Sequence, residues 1–290
     1  MNDFEATRAV STPSAARRAA AATAGPLGTG ARVGSYRIDG LIAQGGNARV
    51  YRAIDEALAR PVALKILDDA SGRESRERFL REVQLVAGLV HPHIVGLYAA
   101  GEHDGLAFAA MELLPGSLAD ELARRGRLPW DEAVRAARDA CRGLEVASKK
   151  GIVHRDVKPS NLLRESSGAI KVGDFGLAKD LSSDLELTME GVVLGTPLYV
   201  SPEQGCGRQT DLRSDLYSLG ATLFHLITGR PPYHAPTPFE IIVRHAVEPV
   251  PSLGDEVPPH VAALVQRLLD KSPSARPQTY DEAIALITKV

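Results

Sequence analysis

The sequence predicts an α+β chain in two parts, a small strand-rich part with one main helix and a larger, mainly helical part. Three observations predict it. The length of 290 residues suggests two folding units or one large domain. From Tyr36 to about Phe108, short β-prone runs alternate with glycine-rich or charged turns. After Pro115-Gly116 the apolar residues fall into a 3.6-residue period. The parts are therefore expected at residues 36–114 and 115–290, behind a tail of residues 1–35.

A hydrophobic fraction of 44% and a charged fraction of 24% are those of an ordinary globular protein. With 34 Lys+Arg against 36 Asp+Glu the net charge is −2, which gives no electrostatic case for nucleic acid or an acidic membrane as a partner. Cys141 and Cys206 are too few for a disulfide framework and lack the spacing of a zinc site, which fits a reducing, cytoplasmic setting. The acidic start Met1-Asn2-Asp3-Phe4-Glu5, with no apolar segment behind it, argues against export. The longest uncharged apolar stretch, Leu216 to Gly229, has fourteen residues. A membrane span needs about 20, so no span is expected and the stretch reads as a buried helix.

In chain order, the tail comes first. Ten of the first 31 residues are Ala and Phe4 is the only aromatic before Tyr36, too little apolar surface to offset the entropy of ordering, so a disordered tail is expected. An organelle-targeting peptide is the other reading, weakened by Asp3 and Glu5. Strands are expected at Tyr36–Ile42, Val50–Ala53 and Pro61–Leu67. A helix from near Glu74 to before His91-Pro92 would pair Glu74 with Arg78 and Glu77 with Arg81, and set Phe79, Val83, Val86 and Val90 on its apolar stripe. Trp130, Val134, Ala137, Cys141, Leu144 and Ser148 mark a helix closed by Lys149, Lys150 and Gly151, with Cys141 an inert core residue. A loop-rich segment to about Asp211 precedes more amphipathic helix, to Val290.

Strand alternation puts Ala63 and Lys65 on one face and Val62, Leu64 and Ile66 on the other. Alone, a strand lysine reads as a guard against edge aggregation. Glu82 shifts that balance, because three residues after Phe79 and four before Val86 it sits on or beside the apolar stripe and needs a partner such as that lysine. The turn Ile42-Ala43-Gln44-Gly45-Gly46-Asn47-Ala48-Arg49-Val50-Tyr51 is either a phosphate cradle of backbone N–H groups or an ordinary hairpin. His154-Arg155-Asp156-Val157-Lys158-Pro159-Ser160-Asn161, followed by Gly173-Asp174-Phe175-Gly176, is more specific. Asp156, Lys158, Asn161 and Asp174 bring a base, a cation and two oxygen ligands into nineteen residues, as metal-assisted phosphoryl transfer requires.

These segments, with the lysine of Val62-Ala63-Leu64-Lys65, resemble the protein-kinase signature set. Gly195-Thr196-Pro197-Leu198-Tyr199-Val200-Ser201-Pro202-Glu203-Gln204 and Ser214-Asp215-Leu216-Tyr217-Ser218-Leu219-Gly220 are similar to segments of the bacterial, eukaryotic-like serine/threonine kinases, and the resemblance covers about residues 36–288. It implies a bilobal protein-kinase fold, with a β-rich N-lobe, a helical C-lobe and ATP in the cleft. The family pattern implies that Lys65 holds the α- and β-phosphates and pairs with Glu82, that Asp156 orients the substrate hydroxyl and accepts its proton, and that Lys158 neutralises the transferring phosphoryl group. Asn161 and Asp174 would bind Mg²⁺, with Mn²⁺ an alternative. Val50, Ala63 and Leu163 match the adenine sandwich, Met111 the gatekeeper, and the backbones of Glu112 and Leu114 the hinge. Lys158 two residues after Asp156 implies protein Ser or Thr hydroxyls as substrate. His154, Phe175, Asp215 and the Glu203/Arg276 pair match scaffold positions.

Arg155 beside the base implies control by a phosphorylated activation loop. Relatives often carry two phosphorylatable threonines seven and five positions before the Gly of G-T-x-x-Y, here Thr188 and Glu190. Thr188 is therefore the expected autophosphorylation site, and Thr196 a substrate-loop residue near Asp156. Against G-x-G-x-x-G-x-V the phosphate loop keeps only the middle glycine, Gly45, with Ala43 and Ala48 at the outer positions. That departure leaves open a pseudokinase or nucleotide-gated scaffold, against which Lys65, Glu82, Asp156, Asn161 and Asp174 are all present. Small-molecule phosphotransferases of related fold are a third class, but they generally lack the Thr196–Glu203 peptide-binding segment and the Asp215 helix behind it. Relatives dimerise back to back through the small lobe, so a transient homodimer is also open. Many carry further sensor domains, so the chain is either a stand-alone enzyme or a fragment.

Overall fold

The computed structural model describes residues 26–45, 48–67, 72–175 and 197–290. The expected tail lies outside the described residues up to position 25. The chain divides into two compact units: one runs up to Val83 and takes in Leu97–Leu113, the other comprises Gln84–Gly96 and Leu114–Val290.

In the first unit β1 (Arg32–Val33), β2 (Tyr36–Gln44), β3 (Ala48–Asp55), β4 (Arg60–Leu67), β5 (Leu97–His103) and β6 (Leu106–Glu112) form one antiparallel sheet in the order β1-β2-β3-β4-β6-β5. Hairpins join most neighbours. The exception is β6, which pairs with β4 across a connection that holds α1 (Gly72–Ala87). On β4 the burial alternates as the sequence dictates: Val62, Leu64 and Ile66 are buried, while Ala63 and Lys65 are only partly covered. The buried set packs with Val33, Tyr36, Ile38, Tyr51, Ala53 and Ala110, and Phe108 meets Tyr36 edge-on at 5.5 Å.

Helix α1 departs from its expected pattern in two places. Its axis ends at Ala87, so Val90 lies beyond the stripe at 90% exposure and Leu89 takes the buried place, turned in by its N–H donating to the Val86 carbonyl. It also begins at Gly72, which brings Arg73 onto the face of Glu77. Glu77 accepts from Arg73 Nε at 2.7 Å, and Arg81 instead donates to the Glu77 carbonyl. The Glu74–Arg78 pair is present at 3.6 Å on the wet face.

The segment after Val83 belongs to the second unit because its backbone is stitched to a strand there. Val95 N–H donates to the Val172 carbonyl, and Val172 N–H to the carbonyl of His93. The second unit contains β7 (Gly116–Ser117), α2 (Leu118–Arg125), α3 (Trp130–Ser148), β8 (Leu162–Arg164) and β9 (Ile170–Val172), then α4 (Pro202–Gly205), α5 (Leu212–Thr228), α6 (Pro238–Val247), α7 (Pro259–Leu268) and α8 (Tyr280–Thr288). The strands form a small antiparallel sheet, β7-β8-β9. Ser117 and Asp120 close a capping box on α2, each side chain bonding the other's backbone N–H. Helix α3 buries Val134, Ala137, Cys141 and Leu144 as its period requires, and burial pushes the Cys141 thiol far up, so it stays a protonated core residue. Helix α5 is buried on all sides, capped by Asp211 at its start and by Gly229 at φ 76° at its end. It packs against α3 and α7, and α3 against α8.

Candidate active site

The second unit gathers Asp156, Lys158 and Asn161 by local turns. Pro159–Asn161 forms one turn of 3-10 helix between the loop and β8, and this turns Asn161 back toward Asp156. Asn161 Nδ2 donates to the Asp156 carbonyl at 2.8 Å and to its Oδ2 at 3.1 Å. Lys158 Nζ lies 2.8 Å from the same Oδ2. Asp156 thus carries a cation and an amide on one carboxylate oxygen. Asn161 is buried at 5% exposure, its NH₂ group is spent on Asp156, and its Oδ1, which accepts a long bond from Ser160 Oγ at 3.4 Å, keeps a second lone pair for other chemistry.

Among the described residues of this unit, two non-glycine residues hold backbone that costs about 1–3 kcal/mol each to maintain. Arg155 has φ 63° and Asp174 φ 50°. Asp215, on α5, clamps the first: its Oδ1 accepts from Arg155 N–H at 2.7 Å and its Oδ2 from His154 N–H at 2.8 Å. Gln204 Nε2 donates to the Arg155 carbonyl at 2.7 Å, and Tyr280 OH supports Asp215 Oδ2 at 3.2 Å. Around Asp174, Gly173 N–H donates to the Asn161 carbonyl, the Gly173 carbonyl accepts from His154 Nε2 at 2.9 Å, and Phe175 packs on the His154 ring at 4.8 Å. His154 Nδ1 accepts from Asp156 N–H at 3.2 Å, so both ring nitrogens are used and His154 is a scaffold, not a base. A Cβ on Gly173 would stand 2.8 Å from Leu163 Cδ1 and 3.1 Å from Val95 Cγ2, so a larger residue before Asp174 requires the Leu163 side chain to shift.

Asn161 and Asp174 supply hard oxygen donors, one amide and one carboxylate. This suits a small hydrated divalent ion that completes its shell with phosphate oxygens and water.

In the first unit, register sets Val50 opposite Lys65 and places Ala63 beside Met111 and Lys65 beside Ala109 on the neighbouring strand. Glu82 lies on α1 between the buried Phe79 and Val83, with its Oε2 out of reach of water. Ile42, Ala43 and Gln44 are exposed at the end of β2, and Gly45 N–H closes the hairpin onto the Ala48 carbonyl at 2.8 Å. None of Ala43, Gly45 and Ala48 has positive φ, so the two alanines of the loop cost no backbone strain. Glu112 ends β6 in this unit, whereas Leu114 and Leu163 belong to the second unit. Gly46, Thr188 and Thr196 lie outside the described residues.

Behind the catalytic loop, Glu203 on α4 and Arg276 form a buried pair at 2.7 Å and 3.0 Å, with Ser214 Oγ also donating to Glu203. Burial alone would push the Glu203 carboxyl up, but the Arg276 and Ser214 hydrogen bonds outweigh it and hold the group below its ordinary range. Sequence reasoning did not find Gln204 or Tyr280 as supports of Arg155 and Asp215. Gln204 stands inside a quoted motif, yet a lone amide side chain there carries no periodicity or charge signal. Tyr280 is 65 residues from Asp215.

Residues 36–285 match the family model described as the protein kinase domain. The chain is 43% identical over 258 residues to the serine/threonine-protein kinase PksC of Streptomyces coelicolor, covering 84% of this chain and 46% of that protein. It is 40% identical to the DNA damage-responsive serine/threonine-protein kinase RqkA of Deinococcus radiodurans, covering 85% and 38%. With PknA of Mycobacterium tuberculosis the identity is 37%, covering 84% and 58%. The chain therefore spans less than two thirds of the length of these curated relatives. Among solved structures, the PknI kinase domain of Mycobacterium tuberculosis, crystallised as a cysteine-to-alanine variant, superposes with a TM-score of 0.71 at 27% identity over 91% of this chain and 98% of that one. The chain belongs to the protein kinase family, with the bacterial serine/threonine-protein kinases as its kin.

Proposed function

We propose that this chain transfers the γ-phosphoryl group of ATP to Ser or Thr hydroxyls of proteins. The observation that carries the reading is the Asp156 carboxylate held between Lys158 and Asn161, on a loop whose strained backbone Asp215 and Gln204 clamp. In this reading the substrate hydroxyl oxygen attacks the γ-phosphorus, the bond to the β-bridging oxygen breaks, and ADP leaves. Asp156 orients the hydroxyl and takes its proton. Lys158 offsets charge on the moving phosphoryl group, an assignment supported by its ammonium lying 2.8 Å from the Asp156 carboxylate. Such a reaction asks little covalent chemistry of the protein and much positioning and charge stabilisation.

Lys65 is assigned to the α- and β-phosphates with Glu82 as its anionic partner, and Ile42, Ala43, Gln44, Gly45 and Gly46 to the phosphate loop. Val50, Ala63 and Leu163 are assigned to the adenine, Met111 to the gatekeeper position, and the Glu112 and Leu114 backbones to the hinge. Asn161 and Asp174 would hold Mg²⁺, or Mn²⁺ in its place, which neutralises phosphate charge when bound. Arg155 is exposed and its backbone is fixed, which supports a role in receiving a phosphorylated residue of the loop, with Thr188 the main autophosphorylation site. Phosphopeptide mapping of active protein should find Thr188 modified; finding it unmodified contradicts that part of the reading. A cytoplasmic setting and transient self-association belong to the same proposal. Among the described residues no helix is long and apolar enough to cross a membrane.

Phosphate transfer from radiolabelled ATP with Mg²⁺, to the chain itself and to a generic basic protein, tests the reading against Asp156→Asn. Clear ATP binding with no signal above that control would favour a nucleotide-gated scaffold.

A further inference from the structure

Outside the catalytic loop, the second unit buries a second polar cluster that the reaction does not use. His245 on α6 and Tyr217 on α5 are fully buried, Tyr233 is nearly so, and Lys271 reaches in beside them. Lys271 Nζ lies 2.8 Å from Tyr233 OH, 2.8 Å from the His245 carbonyl and 3.4 Å from Tyr217 OH, so its three protons have three acceptors. Tyr217 OH lies 3.0 Å from His245 Nδ1, and His245 Nε2 lies 3.1 Å from the Leu198 carbonyl. Tyr233 OH donates onward to the carbonyl of Glu248 at 3.0 Å.

The two ends of this chain fix the proton positions. An ammonium only donates and a carbonyl only accepts, so His245 carries its proton on Nε2 and donates it to Leu198, and Tyr217 accepts from Lys271 and donates to His245 Nδ1, the nearer of its two acceptors, the other being the His245 carbonyl at 3.3 Å. Burial, with Lys271 nearby, holds the His245 imidazole down to about 3, so it stays neutral and the one-way arrangement is kept. Leu198 belongs to the turn Pro197–Val200, and its carbonyl is the acceptor at the end of this chain of bonds. The turn runs into α4 through its N-cap Ser201, and Gln204 on α4 bonds the Arg155 carbonyl next to Asp156. The neighbouring Tyr199 is anchored separately by its hydroxyl, 2.7 Å from His225 Nδ1.

We propose that His245, ordered from behind by Tyr217 and Lys271, is a positioning residue that fixes the Leu198 carbonyl and so shapes the Pro197–Val200 backbone against which a substrate peptide lies. This inference rests on the protein-kinase reading and on the assignment of that segment to the peptide. His245 touches neither nucleotide nor hydroxyl; its effect passes through the backbone it holds.

Steady-state phosphorylation of a generic basic protein, with ATP and protein substrate varied in turn, tests it. His245→Phe removes the donor to the part-buried Leu198 carbonyl, while Tyr217 OH keeps Lys271 and the residue-245 carbonyl as partners. It should raise KM for the protein substrate about 10-fold or more while KM for ATP shifts less than about twofold. His245→Gln, whose amide can reach the same carbonyl, should restore KM to within about threefold of the wild type. Tyr217→Phe, which keeps the ring and loses only the hydroxyl, supplies a second reading in the same direction should His245→Phe not fold. Equal losses for ATP and protein substrate, no change in either, or no rescue by glutamine overturn the inference while leaving the kinase reading standing. Absence of transfer by the wild-type chain overturns the kinase reading, and this inference with it.

Discussion

Lys158 is the residue whose environment says most about the proposed chemistry. Its Nζ stands 2.8 Å from Asp156 Oδ2, an oxygen that Asn161 also holds, so the cation is fixed by the proposed base. An interaction of this kind contributes mainly where charge develops in the transition state. Lys158→Ala should therefore lower kcat by about 100-fold or more while KM for ATP moves less than about threefold, read from initial rates. An unchanged kcat would contradict the assigned role. At this scale the quoted motifs named Asp156, Lys158, Asn161 and Asp174, since a short loop brings near neighbours in sequence together. The supports at Gln204 and Tyr280 were not legible, because each acts through one hydrogen bond to a residue 49 or 65 positions away.

Helix α3 shows what an element adds to a residue. Its apolar stripe was readable from the 3.6-residue period, and Val134, Ala137, Cys141 and Leu144 are buried as that period demands. The same reading failed at the end of α1, where Val90 continues the period in sequence but Gly88 and the turn at Leu89 have already ended the helix. Periodicity describes a face only while the helix lasts. Gly143 in α3 was not singled out, since a glycine in a helix ordinarily costs about 1 kcal/mol relative to alanine. Here a Cβ would drive into the His93 carbonyl oxygen and meet Val172 Cγ2 at 3.2 Å. Gly143→Ala should thus reverse the usual helix preference and destabilise the protein by about 2 kcal/mol or more in chemical denaturation. A stabilised variant would contradict the packing described for α3 against this segment.

Across the whole molecule, pH acts through groups whose proton affinity differs between the folded and the unfolded chain, which the net charge of −2 does not show. His245 is the clearest case. Its folded-state value of about 3 lies below the ordinary 6.5, so between those limits the unfolded chain binds a proton that the folded chain refuses. The stability tied to this group is complete above pH 6.5 and is lost as the pH falls toward 3. Replacing His245 by Gln, which does not titrate, should flatten the decline of the unfolding midpoint between pH 6.5 and about 4 relative to the wild type. Parallel declines would contradict the buried neutral imidazole. Neither His245 nor Lys271 carried a sequence signal, because the cluster joins residues from four places in the chain without a shared motif. The division into a strand-rich and a helical part was legible, since each period is local, whereas the transfer of Gln84–Gly96 to the helical unit depends on hydrogen bonds to β9.

The proposed chemistry depends on Asp156 acting as base toward a protein hydroxyl, and phosphoamino-acid analysis after incubation with labelled ATP and Mg²⁺ tests this most directly. The wild type should place label on serine and threonine and none on tyrosine, and Asp156→Asn should bind ATP comparably yet transfer about 1,000-fold less. Equal transfer by Asp156→Asn, label on tyrosine, or ATP binding by the wild type without any transfer would contradict it.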